Sequence, residues 1–152
     1  KPVPKVCSAM QIQIIHLTRE TATCLKSVAV DVFDADITPA WLDAYLSEPN
    51  HAQFVATADG VVVGQARGIV QHQPDGPLSL FIDNLGVTPD MRRQGIATRL
   101  VKALISWGEA NGCQTSWVAA ETDDDAARRF YESFGFNSRP VTYYFTGPDE
   151  PE

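Results

Sequence analysis

Apolar residues at Ile12, Ile14 and Leu17 alternate with polar ones and predict a first strand, ended at Thr18, whose hydroxyl can cap a following helix. Residues 20–32 place Leu25, Val28, Ala29 and Val32 at helical spacing, and the acidic run Asp31-Val32-Phe33-Asp34-Ala35-Asp36 closes that segment. Thr38-Pro39 supplies an N-cap and a first-turn proline for a short helix through Trp41, Leu42, Tyr45 and Leu46, stopped at Pro49. Two apolar runs, 53–58 and 61–70, flank Asp59-Gly60, a dipeptide suited to the tight turn of an antiparallel hairpin. A turn-rich stretch at 72–77 leads to a fourth strand over 78–87, mostly apolar but interrupted by Asp83, Asn84 and Gly86. Helical spacing returns over 95–110 at Ile96, Leu100, Leu104 and Trp107, closed by Asn111-Gly112. A fifth strand at 115–120, a helix from the Asp123-Asp124-Asp125 cap through Tyr131 and Phe134 to Gly135, and a last strand at 141–146 complete the order. It predicts an α/β protein with a mixed sheet, antiparallel early and parallel across the fourth and fifth strands through a helical crossover.

In 152 residues, 44% of them hydrophobic, there is material for one sizeable core. Residues 10–152 are therefore expected to form one domain behind a polar, proline-containing stretch at 1–9, an N-terminal extension or cloning remnant. Cys7, Cys24 and Cys113 are odd in number and lack a Cys-x-x-Cys pair, which points away from a disulfide framework or a zinc site and toward the reducing cytoplasm. His16, His51 and His72 have no metal-ligand spacing, and no apolar run reaches the length of a membrane span. A net charge of −7 disfavours nucleic acid and favours cationic partners, though acidity for solubility accounts for the same number.

The chemistry concentrates between Val87 and Thr98, where a strand runs through the basic, glycine-bearing turn Arg92-Arg93-Gln94-Gly95 into a helix. Unpaired amides at a helix N-terminus, with the positive end of its dipole, form an anion site. Gly95 lets backbone approach a ligand, Ala97 leaves room, and the two arginines add charge. An ordinary Pro-Asp turn capping an amphipathic helix is the architectural reading of the same residues. Neither Gly-Lys-Ser/Thr nor Gly-x-Gly-x-x-Gly is present, so nucleotide hydrolysis and dinucleotide binding recede.

Arg92-Arg93-Gln94-Gly95-Ile96-Ala97 resembles the Gln/Arg-x-x-Gly-x-Gly/Ala signature of the GNAT N-acetyltransferases. Ala127-Arg128-Arg129-Phe130-Tyr131-Glu132-Ser133-Phe134-Gly135-Phe136 resembles that family's later Ala-x-x-x-Tyr-Glu-x-x-Gly-Phe. The resemblance implies a six- to seven-stranded mixed sheet with splayed fourth and fifth strands, flanked by about four helices. It implies an enzyme that transfers acetyl directly from acetyl-coenzyme A to an amine in a ternary complex, without a metal. Leu85, Gly86 and Val87 would offer backbone groups to pantetheine, and Arg92, Arg93, Gln94, Gly95, Ile96, Ala97 and Thr98 would hold the pyrophosphate. Asp124 stands where many relatives have an asparagine near the pantetheine arm. Tyr131 matches the tyrosine that protonates the leaving thiolate, although a core aromatic on an amphipathic helix has the same pattern. Asp83 corresponds to an acidic residue of several small-amine acetyltransferases and is the candidate base; bonding at a bulge or sheet edge is its other use.

Within the family the chain is most similar to the aminoglycoside 3-N-acetyltransferases of the gentamicin-modifying type. The carrying residues are the Arg92-to-Thr98 turn, the Asp124-Asp125 pair and the acidic segment from Asp31 to Asp36. The implied acceptor is the 3-amino group of an aminoglycoside, a polycation that Asp31, Asp34, Asp83, Asn84, Asp123 and Asp125 would hold. Helix capping and solvation compete for those acids. In one departure this chain has Asn84 where that group has an aspartate, with Asp83 one position earlier, a shift that changes the strand face. The alternatives are another small amine, a protein amino terminus, and a non-catalytic acyl-coenzyme A-binding module, the last opposed by Tyr131 and the intact turn. The aromatic strand at 141–145 fits a homodimer interface and a buried internal strand equally.

Overall fold

The computed structural model describes residues 10–148; the stretch at 1–9 lies outside them. Five strands, β1 (Ile12–His16), β2 (His51–Ala58), β3 (Val61–Gln71), β4 (Ser79–Val87) and β5 (Thr115–Val118), lie in that order across one sheet. Neighbours from β1 to β4 run antiparallel, while β5 is parallel to β4. Helix α1 (Pro39–Leu46) precedes β2, α2 (Ile96–Ala110) makes the crossover from β4 to β5, and α3 (Asp125–Ser133) follows. The expected mixed sheet is present, with five strands rather than six or seven and three α-helices rather than about four among the described residues.

Local chemistry explains most of these elements. Asp59 and Gly60 both adopt positive φ (48° and 79°), the backbone that a tight hairpin turn between twisted strands requires. The Thr38 side chain accepts from the Trp41 amide at 3.2 Å and the Asp124 carboxylate from the Ala127 amide at 2.9 Å, starting α1 and α3. Helix α2 buries Ile96, Leu100, Val101 and Leu104 in a core with Ala66, Val70, Leu80 and Ile82 of the sheet. Each such side chain contributes roughly 1.5–3 kcal/mol on full burial. Phe130 and Phe134 of α3 pack against the same core, while Val32, Val55 and Val62 form a second, smaller buried cluster.

The approach of α2 depends on small residues. A Cβ at Gly108 would stand 2.9 Å from Leu80 Cδ2 and 3.2 Å from Leu80 Cβ. Gly108→Ala gains helix propensity of roughly 1 kcal/mol, yet overpacking against a buried leucine costs roughly 1–3 kcal/mol. We expect a net loss of melting temperature in calorimetry, and an unchanged or raised value would show that the helix can shift.

Two expected elements are absent. Only Ala22–Lys26 of 20–32 is helical, as a 3₁₀ turn. The start of β3 competes for this backbone: Val62 N donates to Ser27 O at 2.9 Å and Ala29 N to Val62 O at 2.8 Å, so the chain leaves the turn extended. The Thr21 hydroxyl, donating to His16 O at 2.7 Å, binds the turn back onto β1. The last strand at 141–146 is irregular, and Val141, Tyr143, Tyr144 and Phe145 are exposed, so it is not a buried internal strand. Pro140 removes one ladder donor just ahead of it.

Candidate active site

The site begins with a defect in β4. Arg67 pairs with Asn84 and the next residue, Gly68, with Ile82, which leaves Asp83 as the extra residue of a β-bulge. A bulge bends its strand and increases local twist. Strand β5 accordingly pairs with β4 only from Ser79 opposite Thr115 to Ile82 opposite Val118, while β4 continues to Val87. Among the described residues no strand lies beside the open edge of β4 from Asp83 to Val87, so the expected splay is present. Alternate residues of that edge have backbone groups free for a ligand.

The bulge also overturns the argument that a one-residue shift changes the face. Asp83 receives Arg67 Nε at 3.0 Å to each carboxylate oxygen, and the Asn84 side chain bonds to Gln65. Gln65 and Arg67 alternate along β3 and point to the same side. Asp83 and Asn84 therefore share the face opposite α2. Tyr45 of α1 packs over this side against His51, ring centroids 5.4 Å apart, and burial pushes its hydroxyl well above the ordinary phenol range.

Gly86 lies on the same face, where a Cβ would stand 2.6 Å from the Val32 carbonyl oxygen. Its bare α-carbon lets the loop carrying Val32 and Asp34 press against β4. Asp31, in that loop, has φ 58°, an uncommon backbone for a non-glycine residue.

The basic turn follows β4 through a 3₁₀ segment, Pro89–Met91. Arg93 has φ 61° and Gly95, the N-cap of α2, φ 76°; no side chain caps this helix. The Gly95 carbonyl accepts from Arg99 N at 3.1 Å, whereas the amides of Ile96, Ala97 and Thr98 belong to the first turn and have no intrahelical acceptor. Left-handed residues beside a helix N-terminus make a concave set of amides suited to an anion. Arg92 donates from Nε to Val87 O at 3.2 Å, which occupies one of the backbone groups expected to face pantetheine.

These parts meet in one cleft of about 490 Å³. Asp31, Asp34 and Asn84 form its acidic end, Leu85, Gly86 and Val87 its floor, and Arg92, Arg93, Gly95, Ile96, Ala97 and Thr98 its basic end. Phe130 of α3 also lines it. Tyr131, the next residue, lines a second cleft of about 640 Å³ with Trp117, Val118 and Phe136. Burial pushes the Tyr131 hydroxyl up to about 12. Gln94 and Asp123 are exposed and line neither cleft. Asp124 caps α3, and Asp125 pairs with Arg128 at 3.3 Å. The acidic loop, the β4 edge and the basic turn thus come together, while the Asp123-Asp124-Asp125 group does not join them.

Four polar residues of the site escaped the sequence reading: Gln53, Gln65, Arg67 and Tyr45. Their signal was a polar residue inside an apolar strand, at Gln53, Gln65 and Arg67, which on an ordinary sheet face marks only the solvent side.

The open edge of β4 and the uncapped N-terminus of α2 lie side by side, a free strand edge next to an anion site. Residues 15–136 match the acetyltransferase (GNAT) family, and the chain belongs to it. It is 28% identical over 98 residues, 62% of this chain and 68% of the other, to aminoglycoside N(6′)-acetyltransferase type 1 of Salmonella typhimurium. It is 29% identical over 127 residues, 82% and 78% of the two chains, to the N-alpha-acetyltransferase RimI of Mycobacterium tuberculosis. In fold it resembles AAC(6′)-Iy, solved with the bisubstrate analogue CoA-S-monomethyl-acetylneamine, at a TM-score of 0.76 and 21% identity over 90% of this chain and 99% of that one. The protein is an acetyltransferase. Among its described residues no helix is long and apolar enough to cross a membrane, and no group of three or more His, Cys, Asp or Glu could hold a metal ion.

Proposed function

We propose that the protein transfers acetyl from acetyl-coenzyme A to an amino group of a small polycation, an aminoglycoside. The observation that carries this reading is the polarity of the first cleft: basic turn and helix N-terminus at one end, Asp31 and Asp34 at the other, the open edge of β4 between. Pyrophosphate sits on the amides of α2 and beside Arg92 and Arg93, and pantetheine follows Leu85 and Gly86 along the open edge. The acceptor's ammonium groups meet Asp31 and Asp34.

Asp83 takes a proton from the attacking amine, whose nitrogen forms the new C–N bond at the thioester carbonyl. The C–S bond breaks, and the departing sulfur receives a hydrogen bond from Tyr131 across the splay. Arg67 holds the Asp83 carboxylate in place without using all of its lone pairs.

The sequence resemblance favours the 3-amino group, whereas the aminoglycoside relative and structural neighbour are named for the 6′ position. A second reading is acetylation of a protein amino terminus, favoured by the larger share of this chain that aligns with RimI. The deciding assay is acetyl-coenzyme A-dependent thiol release with gentamicin, kanamycin, spermidine and a short peptide. Gentamicin or kanamycin should turn over fastest, with NMR of the product assigning the nitrogen. Turnover on the peptide alone would replace the aminoglycoside reading with the second one.

The anion end has its own test. Loss of a charge-assisted contact to phosphate costs about 1.5–3 kcal/mol, or roughly tenfold and upward. Arg93→Gln should raise the KM for acetyl-coenzyme A by about tenfold and leave the acceptor KM unchanged; equal effects on both would move Arg93 out of the phosphate site.

A further inference from the structure

Beneath the acidic end of the cleft runs a line of amides that the transfer chemistry leaves unused. Gln53 Nε2 donates to Gln65 Oε1 at 2.9 Å, Gln65 Nε2 donates to Asn84 Oδ1, and Asn84 Nδ2 donates to Asp34 Oδ2 at 3.0 Å. Gln65 has no exposed surface, and its amide also donates to the Val32 carbonyl at 3.2 Å. The direction of the chain is forced. The Val32 carbonyl and the Asp34 carboxylate can only accept, so Gln65 must present its nitrogen to Val32 and Asn84 must present its nitrogen to Asp34. Asn84 then offers its oxygen to Gln65, and Gln53 its nitrogen to the remaining Gln65 oxygen. Three amide dipoles point their positive ends the same way, toward one exposed carboxylate, and in a buried setting aligned hydrogen bonds strengthen one another.

We infer that Gln65 is a positioning residue for acceptor recognition: through Asn84 it fixes the Asp34 carboxylate as the anchor for one ammonium group of the substrate. The inference rests on the proposed acetylation of a cationic amine in this cleft. Two features set Gln65 apart from a packing residue. Its bond to Val32 fastens the loop two residues before Asp34, while its bond to Asn84 reaches Asp34 itself, so one buried amide orients both the loop and the side chain it carries. Asn84 is then a link to Asp34 and not a contact for the acceptor. Its oxygen is taken by Gln65 and one amide hydrogen by Asp34, and the charge it steers toward the ligand is that of Asp34.

Calorimetric titration of gentamicin into the coenzyme A-loaded protein reads the effect without depending on turnover. Asp34→Asn removes the anchor charge and should weaken gentamicin binding about tenfold, the size of a lost charge-assisted contact. Gln65→Met keeps the volume and removes both donated bonds; it should weaken gentamicin by about five- to tenfold and change coenzyme A affinity by less than about twofold. Because both act on one carboxylate, the double variant should bind no worse than the weaker single one. Should Gln65→Met fail to fold, Asn84→Leu serves, since it keeps the volume, adds no charge and can neither accept from Gln65 nor donate to Asp34; the same loss is expected. Multiplying effects, or a Gln65→Met protein with full gentamicin affinity, would overturn the positioning role while leaving Asp34 as anchor. Unchanged affinity in Asp34→Asn would overturn both, and a wild-type protein that ignores gentamicin would overturn them together with the aminoglycoside reading.

Discussion

Asp83→Asn is expected to lower kcat by about 100- to 10,000-fold, the range over which a positioned general base accelerates proton transfer. Asp83 exists as an extra residue because β4 bulges, and the bulge turns its side chain onto the face that carries Gln65 and Arg67 instead of into the α2 core. There its side chain is 18% exposed; it lines neither cleft itself but directly precedes Asn84, which lines the first. The single Arg67 Nε–H, 3.0 Å from both oxygens, fixes the plane of the group and leaves other lone pairs open. Asparagine keeps an oxygen for Arg67 and nearly the same volume, so the fold should survive; Arg67, 36% exposed, can be solvated in part. The measurement is kcat and kcat/KM against pH for the wild type and the variant, with melting temperature as control. If the rate and the pH profile are unchanged, Asp83 only closes the bulge, and the amine loses its proton through another group.

The same bulge marks the boundary of what the sequence could reveal. Hairpin β2–β3, helix α2 and the caps at Thr38 and Asp124 were legible because each is written in local terms: a period, a turn dipeptide, a capping side chain. The interruption at Asp83, Asn84 and Gly86 was visible, and so was its place in a splayed strand. That Asp83 and Asn84 share a face was not, since the alternation rule assumes a regular strand and a bulge breaks it at this point. Residues 20–32 misled for a different reason. Their helical spacing is real, but the amide of Ala29 and the carbonyl of Ser27 are claimed by Val62, more than thirty positions away, and a distant partner leaves no local mark. The role of Gln65 was hidden likewise, because three of the groups it bonds, from Gln53, Val32 and Asn84, come from separate segments.

Tyr131→Phe should reduce kcat by about 10- to 100-fold with acetyl-coenzyme A affinity preserved, and the size follows from how weak an acid this hydroxyl is. Burial pushes it up to about 12, whereas an ordinary thiol ionises near 8.5. Full transfer of the phenolic proton to the departing thiolate would run uphill by about 3.5 units, or roughly 5 kcal/mol. In the proposed mechanism Tyr131 would therefore serve as a hydrogen-bond donor to developing negative charge on sulfur, a contact worth about 1.5–3 kcal/mol, with the thiolate taking its proton from water afterwards. A donor of this kind stays protonated across any practical assay range, so Tyr131 should not produce a descending limb in kcat below about pH 11. Phe130 and Tyr131 are consecutive on α3 and face the two different clefts, so the contact requires the sulfur to reach the splay between Leu85 and Val118. The same pKa makes a stability prediction with a fixed sign. A hydroxyl harder to ionise when folded than when unfolded contributes stability that is complete below about pH 10 and is lost as pH rises toward 12. Melting curves at pH 8 and 10.5 should show the wild type losing more than the phenylalanine variant over that interval. If the variant keeps full turnover, Tyr131 is a packing aromatic beside Phe130 and Phe136, with which its ring makes edge contacts at 5.1 and 5.7 Å, and the leaving sulfur is stabilised by another donor.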